Sequence, residues 1–104
     1  SEIERYFVWA VMLRQGLTYK FKSPTQRGVA DRIACMPNGE TWFVELKVKG
    51  GRLAPLQELF AMDMRRLGQR YACIWSKEGV DEWASRYDLT KNKPPISCSN
   101  ETAQ

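Results

Sequence analysis

The sequence predicts an α/β domain with elements in the order αβββαβα. Three observations carry that expectation. Apolar residues recur at helical spacing near the start, in the middle and again near residue 80. An Asn-Gly pair sits between two strand-like runs, the strongest local sign of a hairpin. Short apolar or aromatic runs separate the helical stretches.

The first helix is expected over about residues 3–15. Ile3, Phe7, Ala10, Val11 and, one turn on, Leu13 form its apolar stripe, and Gly16 is placed as a stop. Leu17 to Lys22 alternates aromatic and basic residues and reads as a strand, followed by the breaker-rich loop Ser23 to Gly28. Val29 to Met36 and Thr41 to Val48 flank Pro37-Asn38-Gly39-Glu40 as the two arms of a hairpin. Lys49-Gly50-Gly51-Arg52 ends the second arm. Pro55 then stands where a first helical residue is tolerated, and Leu56, Leu59, Phe60, Met64 and Leu67 are expected on the buried face of a helix ending at Gly68. Arg70 to Trp75 reads as a further strand. Ser76 is positioned to cap a short helix presenting Val80, Trp83, Ala84 and Tyr87. The four tryptophans, Trp9, Trp42, Trp75 and Trp83, all fall in these elements and are expected in the core. One domain over residues 1–89 and a flexible tail over 90–104 follow, the tail being polar and without periodicity.

Composition removes several function classes. The 104 residues suffice for one domain. There is no histidine, so an imidazole general base and histidine-containing zinc sites are excluded. Cys35, Cys73 and Cys98 are odd in number and show no metal-ligand spacing, which predicts reduced thiols. No apolar run approaches the roughly 20 residues that span a bilayer. The start Ser1-Glu2-Ile3-Glu4-Arg5-Tyr6 does not read as a signal peptide, so a soluble, cytoplasmic protein without a membrane partner is expected. The net charge of +4 favours a polyanionic partner.

The chemistry-bearing residues concentrate on the hairpin. Along its second arm, Phe43, Glu45 and Lys47 share one face and Trp42, Val44, Leu46 and Val48 the other. A carboxylate and an ammonium two apart in an apolar strand are costly to bury unless paired or metal-bound; the plain alternative is a solvated surface ion pair. Asp31 on the first arm supplies a second carboxylate, and two such oxygens suit Mg²⁺. Between residues 14 and 52 there are eight basic and three acidic side chains, a phosphate-binding balance, without a base-reading motif.

Three segments in consistent order, Gly28-Val29-Ala30-Asp31-Arg32, Phe43-Val44-Glu45-Leu46-Lys47-Val48 and Gly51-Arg52-Leu53-Ala54-Pro55-Leu56-Gln57, resemble the virus-type replication-repair nuclease (VRR-NUC) domain of the PD-(D/E)XK superfamily. The resemblance covers about residues 2–80 and implies the superfamily's α/β core, a mixed central sheet flanked by helices. It implies that Asp31 and Glu45 bind metal, with the Leu46 backbone carbonyl as a further ligand, that Lys47 is catalytic and positions the nucleophile, and that Gln57 matches the motif glutamine and orients Lys47 or phosphate. It also implies a catalytic acidic residue on the first helix that completes or orders the water shell of the metal, for which Glu4 aligns better than Glu2. Ala30 departs from the proline of many relatives without removing a functional group. The implied activity is a Mg²⁺-dependent endodeoxyribonuclease, with Mn²⁺ as substitute, that resembles Holliday-junction resolvases. It would act as a homodimer on branched or four-way-junction DNA and be phage-encoded in a bacterial host. Lys20, Lys22, Arg27, Lys49 and Arg52 are the expected DNA-contacting cations. A non-catalytic nucleic-acid-binding module and a protein-interaction domain are the competing readings.

One geometric difficulty accompanies this reading. A two-residue Asn38-Gly39 turn would pair Asp31 with Leu46 and turn its side chain away from Glu45. A three-residue loop with a bulge is therefore expected, shifting the register so that Asp31 lies opposite Lys47.

Overall fold

The computed structural model describes residues 1–88. Its elements are α1 (Glu2–Leu13), β1 (Leu17–Lys20), β2 (Arg32–Cys35), β3 (Thr41–Leu46), α2 (Pro55–Arg66), β4 (Arg70–Ile74) and α3 (Lys77–Ala84), with a 3₁₀ turn at Ser85–Tyr87. The expected order is observed. The strands lie in the order β1-β2-β3-β4, the first three antiparallel and β4 parallel to β3. A parallel return requires a crossover, which α2 provides. The expected tail at 90–104, and Cys98 within it, lie outside the described residues.

The two faces of the sheet are covered differently. On one, Ala34, Val44 and Ile74 pack against α1 through Phe7, Ala10 and Val11 and against α3 through Val80, Trp83 and Ala84. Phe7 and Trp83 hold their rings 5.1 Å apart, and Trp42 meets Trp83 edge-on at 5.7 Å. The other face carries a row of aromatics beneath α2: Phe21 to Phe43 at 5.8 Å, Phe43 to Phe60 at 5.8 Å and Phe60 to Tyr71 at 6.1 Å. This second cluster sets the height and direction of α2 over the strands.

Several local expectations need correction. Leu13 is 55% exposed, because the buried stripe of α1 ends at Val11. The left-handed residue after α1 is Gln15 (φ 67°), one position before Gly16. On α2 the buried and half-buried face is Gln57, Phe60, Ala61 and Met64, while Leu56, Leu59 and Leu67 point outward. Trp83 is buried and Trp42 half-buried, but Trp9 and Trp75 are 54% and 38% exposed.

The hairpin settles the register. Met36 N–H donates to the Glu40 carbonyl at 2.9 Å and Gly39 N–H to the Met36 carbonyl at 2.9 Å, so the loop is the three residues Pro37-Asn38-Gly39. Proline has no N–H to add to the ladder, which therefore closes at Met36. Gly39 takes the left-handed conformation (φ 87°) that such loops require. Arg32 then lies opposite Val44, and the next step of the same register sets Asp31 opposite Glu45. The irregularity is the expected one, but it moves Asp31 to Glu45 and not to Lys47, because the extra loop residue comes from the first arm.

Candidate active site at the end of the sheet

The site forms where the β2–β3 ladder stops. The Leu46 N–H turns toward β2, where continued pairing would offer it a backbone carbonyl. The Asp31 carboxylate takes that place, accepting the bond at 2.9 Å. The Asp31 carbonyl meanwhile accepts from Phe21 N–H at 3.0 Å, so its backbone is held by β1 while its side chain is held by β3. β2 accordingly begins at Arg32 and not at Val29. Since the N–H and C=O of one strand residue point to the same edge, the Leu46 carbonyl faces the Asp31 side, while Lys47 N–H turns to β4 and donates to Ile74 at 2.9 Å.

Glu45 is the one charged side chain among the buried residues of the described chain, 2% exposed. Its Oε2 accepts from Gln57 Nε2 at 3.1 Å and lies 3.8 Å from Lys47 Nζ. Its Oε1 is buried and has no hydrogen-bond partner among the described residues. Burial pushes the Glu45 carboxyl up to about 7, the Asp31 charge and hydrogen bonding push the same way, and Lys47 pulls back. Two carboxylates face one another with too few donors between them. A divalent cation, which prefers carboxylate oxygens, fits this donor set because it would supply the positive partner that Oε1 lacks.

Gln57 is positioned by α2. It occupies the third helical position, and its Oε1 accepts from Ala54 N–H at 2.8 Å, closing the helix start that an alanine cap leaves open. With its oxygen so occupied, the amide nitrogen is aimed at Glu45. The aromatic row brings the two together, since Gln57 lies one turn before Phe60 and Glu45 lies two residues after Phe43. Gly28 (φ 84°) lets the loop before Asp31 approach α2: a Cβ there would sit 2.5 Å from the Leu56 carbonyl oxygen.

Asp31, Glu45, Lys47 and Gln57 are thus brought together, with the Leu46 carbonyl at the same edge. Glu4 stands apart. Arg32 alternates with Asp31 and so projects toward α1, where its Nε donates to Glu4 at 2.9 Å. Burial pushes the Glu4 carboxyl up, but the bond and charge of Arg32 outweigh it and hold the group below the usual range. Among the described residues no three His, Cys, Asp or Glu side chains are grouped closely enough to hold one ion. Glu2 pairs with Lys77 at 3.2 Å. Arg32 is a partner that reading the sequence missed; its place beside Asp31, with the opposite strand parity, was the available signal.

The five expected cations, Lys20, Lys22, Arg27, Lys49 and Arg52, are all exposed. None of them forms an ion pair among the described residues. They stand on the end of β1 and on the two loops that leave the sheet beside Asp31 and Glu45. Cys73 lies opposite Glu45 on β4, where burial and the Glu45 charge push its thiol up to about 11. Cys35 and Cys73 form no disulfide among the described residues.

A solved structure described as a VRR_NUC domain superposes on 84% of this chain and 95% of its own, with a TM-score of 0.78 and 24% identity. The chain has the VRR-NUC fold. No family model matches the sequence. A phage protein named "Putative nuclease p44", from Acyrthosiphon pisum secondary endosymbiont phage 1, is 46% identical over 57 residues. That match covers 55% of this chain and 61% of the relative. The VRR-NUC fold places Asp31 and Glu45 at the end of a mixed sheet, with α2 supplying the amide that steadies Glu45. No helix among the described residues is long and apolar enough to cross a membrane.

Proposed function

We propose that this chain is a metal-dependent endonuclease that hydrolyses phosphodiester bonds of DNA. The carrying observation is the buried Glu45 carboxylate, facing Asp31 with one oxygen unpartnered, at a sheet end surrounded by exposed cations. Such a carboxylate is a standing cost to the fold, and a divalent cation and a phosphate together would offset it. Asp31, Glu45 and the Leu46 carbonyl would hold Mg²⁺, or Mn²⁺ in its place. When bound, the ion would neutralise charge on the phosphate and favour attack by water.

The chain's own residues have separate tasks in this reading. Lys47 Nζ, 3.8 Å from Glu45, orients the attacking water and offsets charge that develops on the phosphoryl group. Gln57 is a positioning residue that fixes Glu45. Glu4 with Arg32 holds α1 against the start of β2, next to Asp31. Lys20, Lys22, Arg27, Lys49 and Arg52 engage the phosphate backbone and hold DNA by charge, without reading its sequence.

The finer reading is a Holliday-junction-resolvase-like enzyme, encoded by a phage and acting in the cytoplasm of a bacterial host. Likeness to a phage protein named as a nuclease supports it. One centre per chain favours a homodimer for paired cuts in two strands. The test incubates the protein with labelled four-way junction, flap and duplex DNA, with Mg²⁺ or EDTA, beside Lys47→Ala and Asp31→Ala. Junction cleavage lost in EDTA and in both variants is expected. Intact DNA throughout, with binding retained, would leave a non-catalytic binding module.

A further inference from the structure

Besides its buried stripe, α1 carries a second one. Arg5, Val8, Trp9 and Met12 fall at i, i+3, i+4 and i+7, one helical face. With Lys20 and Arg32 from the neighbouring strands they line an open cleft of about 460 Å³ between α1 and the sheet. Its apolar wall faces solvent: Trp9 is 54% and Met12 59% exposed. The indole is backed by the Tyr6 ring at 5.5 Å, and Tyr6 is fixed in turn by donating to Asp81 at 2.6 Å. Glu4, the one acid in the cleft, is occupied by Arg32, which leaves the cations Arg5 and Lys20 unpaired among the described residues. Lys20 lies opposite Arg32, next to Asp31, so the cleft opens at the carboxylate end of the sheet on its other face.

We infer that this cleft binds an unpaired nucleotide of single-stranded DNA, with its base stacked on Trp9 and the flanking phosphates held by Arg5 and Lys20. An exposed aromatic backed by a second ring and flanked by cations is the combination single strands use, since every base has a π-face and every linkage a charge. Bases inside a duplex are stacked on one another and cannot reach the indole. The inference deepens the nuclease reading and rests on it for the identity of the polymer: a strand crossing the sheet end would run from the carboxylates into the cleft.

Binding and cleavage are measured separately. In EDTA, fluorescence anisotropy gives the affinity of the whole chain for a labelled oligothymidylate and for a blunt duplex. Trp9→Ala is expected to weaken the oligothymidylate about tenfold and the duplex less than twofold, with Trp9→Tyr restoring most of the loss. Lys20→Gln is expected to lower the salt dependence of single-strand binding by about one ion. An oligonucleotide carrying bromodeoxyuridine should crosslink to Trp9 under ultraviolet light. Equal losses for both DNAs, unchanged binding in Trp9→Ala and Lys20→Gln, or crosslinks mapping only to other elements would overturn the inference. Cleavage by the unaltered chain without a Trp9 effect sinks this inference alone. A Trp9 effect on binding in a chain that cleaves nothing sinks the nuclease reading alone.

Discussion

Replacing Glu45 by glutamine should stabilise the metal-free protein, although it removes a residue at the centre of the site. The carboxylate is 2% exposed, faces Asp31 and leaves Oε1 without a donor. Its carboxyl is raised from 4.5 to about 7, first by burial and then by Asp31, a difference on the order of 3 kcal/mol against the unfolded chain. The sign follows from proton binding. Between pH 4.5 and about 7 the native state keeps a proton that the unfolded chain has released, so stability falls as pH rises through that window and levels off above it. Glutamine has no charge to desolvate, and its amide can donate toward Asp31 while its oxygen still accepts from Gln57. Urea unfolding in EDTA should therefore show the two proteins within about 1 kcal/mol at pH 5, and Glu45→Gln ahead by about 2–3 kcal/mol at pH 8. Adding Mg²⁺ should raise only the unaltered protein, since a ligand stabilises the state that binds it. A variant less stable than its parent at pH 8, or a difference that does not change between pH 5 and 8, would refute the argument that Glu45 is a desolvated, underpartnered charge.

Gly28→Ala should destabilise by more than about 2 kcal/mol in the same assay, because φ is 84° and the added Cβ would lie 2.5 Å from the Leu56 carbonyl oxygen. Tyr87→Phe should cost about 1–3 kcal/mol in thermal unfolding, since the hydroxyl accepts from Trp42 Nε1 at 2.6 Å and donates to Glu40. The Tyr87 and Arg70 contacts hold the Glu40 carboxyl low against its partial burial, so the stability it contributes is present above pH 4.5 and is lost as pH falls through its lowered value; Tyr87→Phe should flatten that acid limb. Gln15→Gly should stabilise by about 0.5–1 kcal/mol, because Gln15 holds φ 67° without a glycine's freedom.

The order of elements was legible because each carries its own local signal: the spacing of Phe7, Ala10 and Val11, the Asn38-Gly39 turn, Pro55 at a helix start, and Ser76, whose hydroxyl accepts from Gly79 N–H at 3.0 Å. Asp31, Glu45, Lys47 and Gln57 were legible from strand parity together with the resemblance. What the sequence left open depended on contacts far apart in the chain. Periodicity alone cannot say which of two apolar stripes on α2 faces inward; the aromatic row of Phe21, Phe43 and Tyr71 chooses the one with Phe60. The same holds for Trp9, whose helix offers Ile3, Phe7, Ala10 and Val11 to the core and leaves the next face outside. The resemblance alone expects Glu4 beside the metal's water shell, whereas strand alternation sends its partner Arg32 to the opposite face from Asp31.

The hairpin shows how finely such a site depends on loop length. Side chains alternate with a period of two, so a register one residue different would turn Asp31 to the α1 face and offer Arg32 to Glu45. The three-residue loop prevents that, and Pro37 enforces it by ending the ladder at Met36. β2 begins two residues short of the position that would pair with Leu46, and the open N–H is what anchors the Asp31 carboxylate. A backbone group without its strand partner and a carboxylate without enough donors are each unfavourable alone. Placed together at the sheet's end, the first is satisfied by Asp31. The second, Glu45 Oε1, remains unpartnered, and a cation is the species whose charge would balance it.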